Sequence, residues 1–284
     1  MTGAGTLSLG DLEVDRLGFG AMRITGPGIW GPPTQPPDGP DGALALLRRA
    51  VELGVNFFDT ADSYGPNVSE ELIAAALAPY DGLLVATKGG LTRPGPNVWH
   101  ADGRPEHLRE ALEGSLRRLK LERIDLYQFH RPDPKVPLEE SLGALVEARA
   151  QGKIRHIGLS NVSLDELERA LAMTEIVSVQ NRYSALDRKS QEVLDACARH
   201  GIAFIPWFPL AAGEATTDTG ALEHVARGHD ASAGQIALAW LLATSPVMLP
   251  IPGTSRIEHL EQNVAAAAIR LSEADLEALS PGAA

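Results

Sequence analysis

Cysteine is almost missing: the 284 residues contain one, Cys197. A lone thiol cannot close an internal disulfide, so the core must hold the fold, and a reducing, cytoplasmic compartment fits best. Long apolar runs are missing as well. No stretch reaches the ~20 residues that a membrane-spanning helix needs. The opening MTGAGTLSLGDLEV has no charged segment leading into an apolar one, so no secretory signal is expected. Basic residues are in deficit. Against 37 Asp and Glu stand 25 Lys and Arg, and 25 − 37 gives a net charge of −12. That balance argues against nucleic acid or an anionic membrane as the main partner, while leaving room for a local basic pocket around a phosphate. The eight histidines show no H-E-x-x-H spacing and no carboxylate cluster, so no metal is expected. Nothing in one chain fixes the oligomeric state.

What is present is an alternation. The composition, 44% hydrophobic and 22% charged, is that of an ordinary globular protein with a sizeable core. Thr6-Leu7-Ser8-Leu9 and Leu12-Glu13-Val14 flank Gly10-Asp11 and read as a short hairpin. Short apolar runs then predict strands at about 17–22, 55–58, 83–87, 124–129, 155–159, 176–179, 202–207 and 247–251. Helical periodicity fills the gaps at 41–54, 69–79, 105–120, 138–151, 163–173, 187–200, 231–244 and 256–268. Ser163-x-x-Glu166 and Ser272-x-x-Asp275 mark two helix starts. Eight strands alternating with eight helices imply a parallel sheet. A doubly wound sheet competes, but it usually has fewer strands. A closed α/β barrel of the (β/α)8 TIM type runs to roughly 250 residues. With the hairpin as an N-terminal plug, residues 1–284 then make one domain.

Residues 25–42, TGPGIWGPPTQPPDGPDG, break the rhythm and form a loop too long for a mere connection. Gly26-Pro27-Gly28-Ile29-Trp30-Gly31 formally matches G-x-G-x-x-G. The dinucleotide fingerprint must open a helix directly, whereas four prolines follow here, so a turn-rich loop is expected.

In such a barrel the C-terminal strand ends gather on one face, where catalytic groups sit. Strand two ends at Asp59, strand three at Lys88 and strand four at His130, and Tyr64 lies in the loop after strand two. Each residue alone is better explained as structural; all four on one rim make a site. An ammonium beside a phenol lowers its pKa from about 10. Lys88 can supply that charge, Asp59 can keep it in place, and His130 can donate to a carbonyl oxygen, with Tyr64 as proton donor. No side chain supplies a hydride, so a reduction would need a nicotinamide cofactor.

LGFGAM, NFFDTADSYG, ATKGG, GSLRRLKLERIDLYQFHRPD, GKIRHIGLSN, VQNRYS and IPGTSR, in this order along the chain, resemble the aldo-keto reductase family. The resemblance implies a barrel with a hairpin plug and NADPH-dependent interconversion of small-molecule aldehydes or ketones with alcohols. Asp59, Tyr64, Lys88 and His130 match the family's tetrad. It further implies cofactor contacts at Gly20, Ala21 and Met22, at the carboxamide-binding trio Ser160, Asn161 and Gln180, and at Trp207 stacked on the nicotinamide. Phe208, Pro209 and Leu210 follow along the pyrophosphate, with Phe208 where the family commonly has serine. After strand eight, Gly253, Thr254 and Ser255 open a helix, a natural anion site. Arg256 adds a guanidinium fork for a phosphate, which favours NADPH over NADH. Gln262 stands where glutamate is frequent, and Asn263 matches an adenine-contacting asparagine.

Substrate walls are expected from Ile29 and Trp30 in the 25–42 loop and from Trp99 and His100 in the segment 89–104. The short tail after the last helix implies an open site and resembles bacterial reductases, some of which act on pyridoxal. Two other functions stay open on sequence grounds. The same fold serves as a cofactor-binding regulatory subunit of potassium channels, and it serves as a dedicated ketoreductase of a biosynthetic route.

Overall fold

The computed structural model describes residues 3–33, 40–208 and 220–280. An antiparallel hairpin, β1 (Thr6–Leu9) and β2 (Leu12–Asp15), comes first and turns at Gly10-Asp11 as its sequence predicts. Then follow β3 (Phe19–Gly20), α1 (Pro40–Glu52), β4 (Phe57–Asp59), α2 (Val68–Leu77) and β5 (Leu84–Gly89). A second hairpin, β6 (Leu91–Gly95) and β7 (Val98–Ala101), precedes α3 (Pro105–Leu119). The alternation continues with β8 (Ile124–Phe129), α4 (Leu138–Ala150), β9 (Ile154–Ser160), α5 (Leu164–Met173), β10 (Ser178–Arg182), α6 (Gln191–His200) and β11 (Ala203–Trp207). It ends in α7 (Gly220–Gly228), α8 (Ala233–Thr244), α9 (Ile257–Ala265) and α10 (Glu273–Ala278).

Seven strands form one parallel sheet in the order β3-β4-β5-β8-β9-β10-β11. Its two edges meet through residues 247–250. The Phe204 N–H donates to the Val247 carbonyl and the Leu249 N–H to the Phe204 carbonyl, both at 2.8 Å, while the Gly18 N–H donates to the Pro250 carbonyl at 2.9 Å. The sheet therefore curls into a TIM-barrel-like cylinder. The run expected as strand eight is not a regular strand, because Pro250 and Pro252 have no N–H for a ladder. Closure here is tight. A Cβ on Gly20 would come within 2.6 Å of the Ile251 carbonyl, which explains glycine at that position.

Strand residues alternate between two cores. Tyr127, Phe129, Ile157, Leu159 and Val179 face outward and pack with helix residues such as Leu112, Leu142 and Leu167. Phe57, Leu84, Ala86, Leu126, Ala203 and Ile205 face inward and share a cluster with Leu9 and Val14 of the first hairpin. Continuing the inward phase toward the C-terminal strand ends gives Asp59, Lys88, Gln128, Ser160, Gln180 and Trp207. Pleat and register thus deliver a polar set to one end of the cylinder.

The capping boxes at Ser163 and Ser272 are both formed. The glycine-rich segment is the expected turn: the Gly26 N–H donates to the Gly31 carbonyl at 2.9 Å, and Gly28 has φ +70°. Two features went unread in the sequence, the β6–β7 hairpin inside 89–104 and the helix α7.

Candidate active site

Lys88 has no exposed surface. Its Nζ donates to Asp59 Oδ1 at 2.6 Å, to the Thr60 carbonyl at 2.8 Å and to Tyr64 Oη at 3.2 Å. Burial works against the charge on Lys88, but the attraction of Asp59 and Tyr64 and their hydrogen bonds exceed it, so its pKa lies above the ordinary lysine value. Asp59 is equally enclosed, and its second oxygen accepts from Gln128 Nε2 and Gln180 Nε2, both at 2.9 Å. All three donors to the carboxylate come from inward positions of different strands. The arrangement supplies the full partnering that a buried ion pair requires.

Tyr64 hangs from the turn after β4, with its N–H on the Ala61 carbonyl. Gly65 follows at φ +89°, a region that suits glycine, and a Cβ there would strike Val68 at 2.6 Å. Burial pushes the Tyr64 phenol above its ordinary value, and Lys88 opposes this without overcoming it. From the sequence the reverse is expected, a phenol lowered by the ammonium. Desolvation wins because Tyr64 is buried, and the group at neutral pH is a neutral phenol with a proton to give.

His130 meets the Tyr64 ring edge-on, with centroids 5.8 Å apart and planes at 82°. Burial, then the charges of Lys88 and Arg131, hold its pKa well below 6.5. The ring is neutral and carries one N–H. Ser63 Oγ lies 3.4 Å from Nδ1; a hydroxyl donating there leaves Nε2 as the donor nitrogen.

A tier of amides adjoins this group. Asn161, in the left-handed region at φ +59°, donates from Nδ2 to the His130 carbonyl and to Ser160 Oγ, both at 3.0 Å. Its Oδ1 accepts from Trp207 Nε1 at 3.0 Å. One side chain so ties the ends of β8, β9 and β11 together. The true cap of α5 is Ser163, so Ser160 and Asn161 are not helix caps. Asp59, Tyr64 and His130, with Ser160, Asn161 and Gln180, line a cavity of about 310 Å3, reached also by Gly20, Met22, Ile29, Trp99, Phe208 and Gly253, while Lys88 lies enclosed behind them. It contains convergent polar groups against apolar walls, the ordinary form of a small-molecule site.

The model of the aldo/keto reductase family matches residues 16–280. The chain belongs to that family. It is 51% identical over 269 residues to an uncharacterized oxidoreductase of Schizosaccharomyces pombe, covering 95% of this chain and 87% of that protein. It is 41% identical over 282 residues to pyridoxine 4-dehydrogenase of Escherichia coli, covering 96% of each. Among solved structures, it is similar to an aldo-keto reductase from Klebsiella pneumoniae in complex with NADPH. That match has a TM-score of 0.80 and 26% identity, over 96% of this chain and 93% of the other.

Of the cofactor-contact residues implied by the aldo/keto reductase pattern, Gly20, Met22, Ser160, Asn161, Gln180, Trp207, Phe208 and Gly253 line the cavity. Ser255 lines the adjoining one. Ala21 does not: it is fully buried in the core between α1 and α2. The Thr254 hydroxyl accepts from the Arg256 N–H at 3.0 Å, setting the start of α9. Arg256 and Gln262 are exposed, and Asn263 is buried. Arg256 faces Glu258 at 3.6 Å, a pair more than half exposed on both sides and therefore weak. Pro209 and Leu210 lie outside the described residues.

Of the substrate-wall residues, Ile29 and Trp99 reach the cavity, while Trp30 and His100 do not line it. Alternation on β7 explains His100: it is exposed between the half-buried Trp99 and Ala101. Trp30 is turned toward Arg93. Several residues at the site were not expected from the sequence, among them Leu91, Ile251 and Pro252 of the cavity lining. Gln128 was legible from its inward parity with Leu126. Arg23 and Arg131 line the cavity, and Arg131 directly follows His130. Arg93 left no sequence signal, because its role depends on a hairpin that was not foreseen.

Proposed function

We propose that this chain is an NADPH-dependent reductase of aldehydes or ketones in which Tyr64 protonates the product oxygen. The observation that carries this reading is the contact of Lys88 with Tyr64 at 3.2 Å, with Asp59 behind it at 2.6 Å. When bound, the nicotinamide supplies the hydride that reduces the carbonyl carbon. The chain's own residues manage the oxygen. Neutral His130 donates its N–H and holds the carbonyl beside Tyr64. Tyr64 gives its proton as charge builds on that oxygen, and the Lys88 ammonium stabilises the phenolate left behind. Asp59, held by Gln128 and Gln180, keeps the ammonium aimed. Running the same transfers backward oxidises an alcohol.

The residues present fit the cofactor. Gly20 and Gly253 approach so closely that a Cβ on Gly253 would lie 2.6 Å from the Gly20 carbonyl. Their bare backbones leave a smooth floor at that end of the cavity. Ser160, Asn161 and the carbonyl oxygen of Gln180 suit a carboxamide, and Trp207 offers an apolar ring beside them. The first turn of α9, with Ser255 and Arg256, suits an anionic phosphate. Arg23 adds a guanidinium at the rim shared by both cavities. The likeness to pyridoxine 4-dehydrogenase is the reason to try pyridoxal first. We read the β1–β2 hairpin as a plug of the opposite end, and residues 1–284 as one domain.

The test is an NADPH-oxidation screen over pyridoxal, simple aldehydes, sugars and ketones, with NADH in parallel. Consumption with at least one carbonyl, faster with NADPH, is expected. Tight NADPH binding with no turnover on any member of the panel would contradict the reading.

A further inference from the structure

We infer that Arg93 is a specificity-determining positioning residue, whose guanidinium joins three segments at the cavity mouth into one wall and fixes Trp99 against Tyr64. The inference rests on the reductase reading given above. Arg93 projects from β6, and each nitrogen of its fork is used. Nε donates to the Val98 carbonyl at 2.9 Å, Nη1 to the Ser63 carbonyl at 3.0 Å and Nη2 to the Gly28 carbonyl at 3.0 Å. These carbonyls belong to the second hairpin, the turn that carries Tyr64, and the glycine-rich loop. Three segments distant in sequence are thus bonded to one planar cation.

The same cation lies 3.6 Å above the Trp99 ring centroid and 5.8 Å from that of Trp30. Trp99 in turn meets Tyr64 edge-on, at 6.3 Å and 84°, and lines the cavity. A tryptophan on a two-stranded hairpin has few neighbours to fix its rotamer. Here the stacked guanidinium supplies one, and the Ser63 bond holds the hairpin in register with the proton donor. Ser63 also touches His130, so one guanidinium braces both groups that face a carbonyl oxygen. Lysine keeps the charge but cannot stack as a plane while donating in three directions.

The consequence is selectivity by shape. A rigid indole at the mouth favours flat ring aldehydes that can lie along it, and a loosened one favours them less. In Arg93→Lys, KM for a ring aldehyde such as pyridoxal should rise on the order of tenfold more than KM for the smallest aldehydes. The NADPH dissociation constant, followed by cofactor fluorescence, should stay within about twofold of wild type. Arg93→Gln serves as a second variant. Because Arg93 acts through Trp99, Arg93→Lys should add little once Trp99→Ala is in place, which the double-mutant cycle measures.

Difference quenching between wild type and Trp99→Phe reads the ring directly and needs no Arg93 variant. Shielding of Trp99 from acrylamide is expected. A freely quenched Trp99, or purely additive Arg93 and Trp99 effects, would overturn the proposal. Wild type that turns over no carbonyl would instead sink the reductase reading and leave the quenching result to judge Arg93 alone.

Discussion

The Lys88 ammonium and the Tyr64 hydroxyl stand 3.2 Å apart inside a shell that leaves Lys88 with no exposed surface. Both groups are there because of strand parity and one turn. Lys88 is two residues beyond the inward Ala86, and the Gly65 turn brings Tyr64 back over the strand ends. The charge proposed to assist proton transfer is therefore built into the pleat of the sheet.

Removing the carboxylate should expose the cost of that burial. Asp59→Asn leaves Lys88 enclosed without its counter-charge, which costs about 3–5 kcal/mol. Urea unfolding should report the loss as a lower midpoint, and turnover should fall with it. Wild-type stability in this variant would mean that Lys88 is neutral when paired.

The pH profile of reduction should lack a histidine limb. His130 is held well below 6.5 by burial and by Lys88, so it does not gain charge on mild acidification. The Tyr64 phenol is raised by burial, so it keeps its proton as pH rises through neutrality. Turnover measured at saturating carbonyl should be flat between about pH 6 and 9. An acid limb near 6.5 that disappears in His130→Gln would contradict this.

Stability should carry a separate pH signature from Asp62. Burial, with the nearby Glu70 charge, pushes this carboxyl from 3.8 up to about 8. Its Oδ1 has no hydrogen-bond partner among the described residues. The folded protein keeps a proton that the unfolded chain releases near 3.8, so this group destabilises progressively as pH rises from there to about 8 and then no further. Asp62→Asn removes that dependence. Its melting-temperature advantage over wild type should grow between pH 5 and 8 and level off above. An advantage independent of pH would contradict the assignment.

Cofactor choice should follow Arg256. A charge-assisted bond to a phosphate is worth about 1.5–3 kcal/mol. Arg256→Ala should weaken NADPH on the order of tenfold or more while leaving NADH unchanged, as titration of cofactor fluorescence measures. Equal losses for both would assign Arg256 to the start of α9 instead.

The meeting of Asp59, Tyr64, Lys88 and His130 at one rim was legible because each stands at a strand end or the adjoining turn, and strand ends follow from short apolar runs. β8 (Ile124–Phe129) matches its expected span because charged and turn residues bound it on both sides. The capping boxes were readable for the same local reason. What the sequence did not reveal depends on contacts between distant segments. The phenol moves up, not down, because enclosure by Trp99 and His130 cannot be read from neighbours in the chain. Residues 91–101 pair as a hairpin across Pro94 and Pro96, which obscure the alternation that marks strands. Arg93 was invisible for that reason. Gln128 was within reach, since Leu126, Gln128 and His130 share one parity.

The most direct test compares single-turnover reduction by wild type, Tyr64→Phe and Lys88→Met, with NADPH binding measured on each. Both variants should bind NADPH like wild type and lose about 10²–10⁴-fold in the reduction step. Reduction by Lys88→Met within a few-fold of wild type would show that the buried ammonium does not serve the phenol.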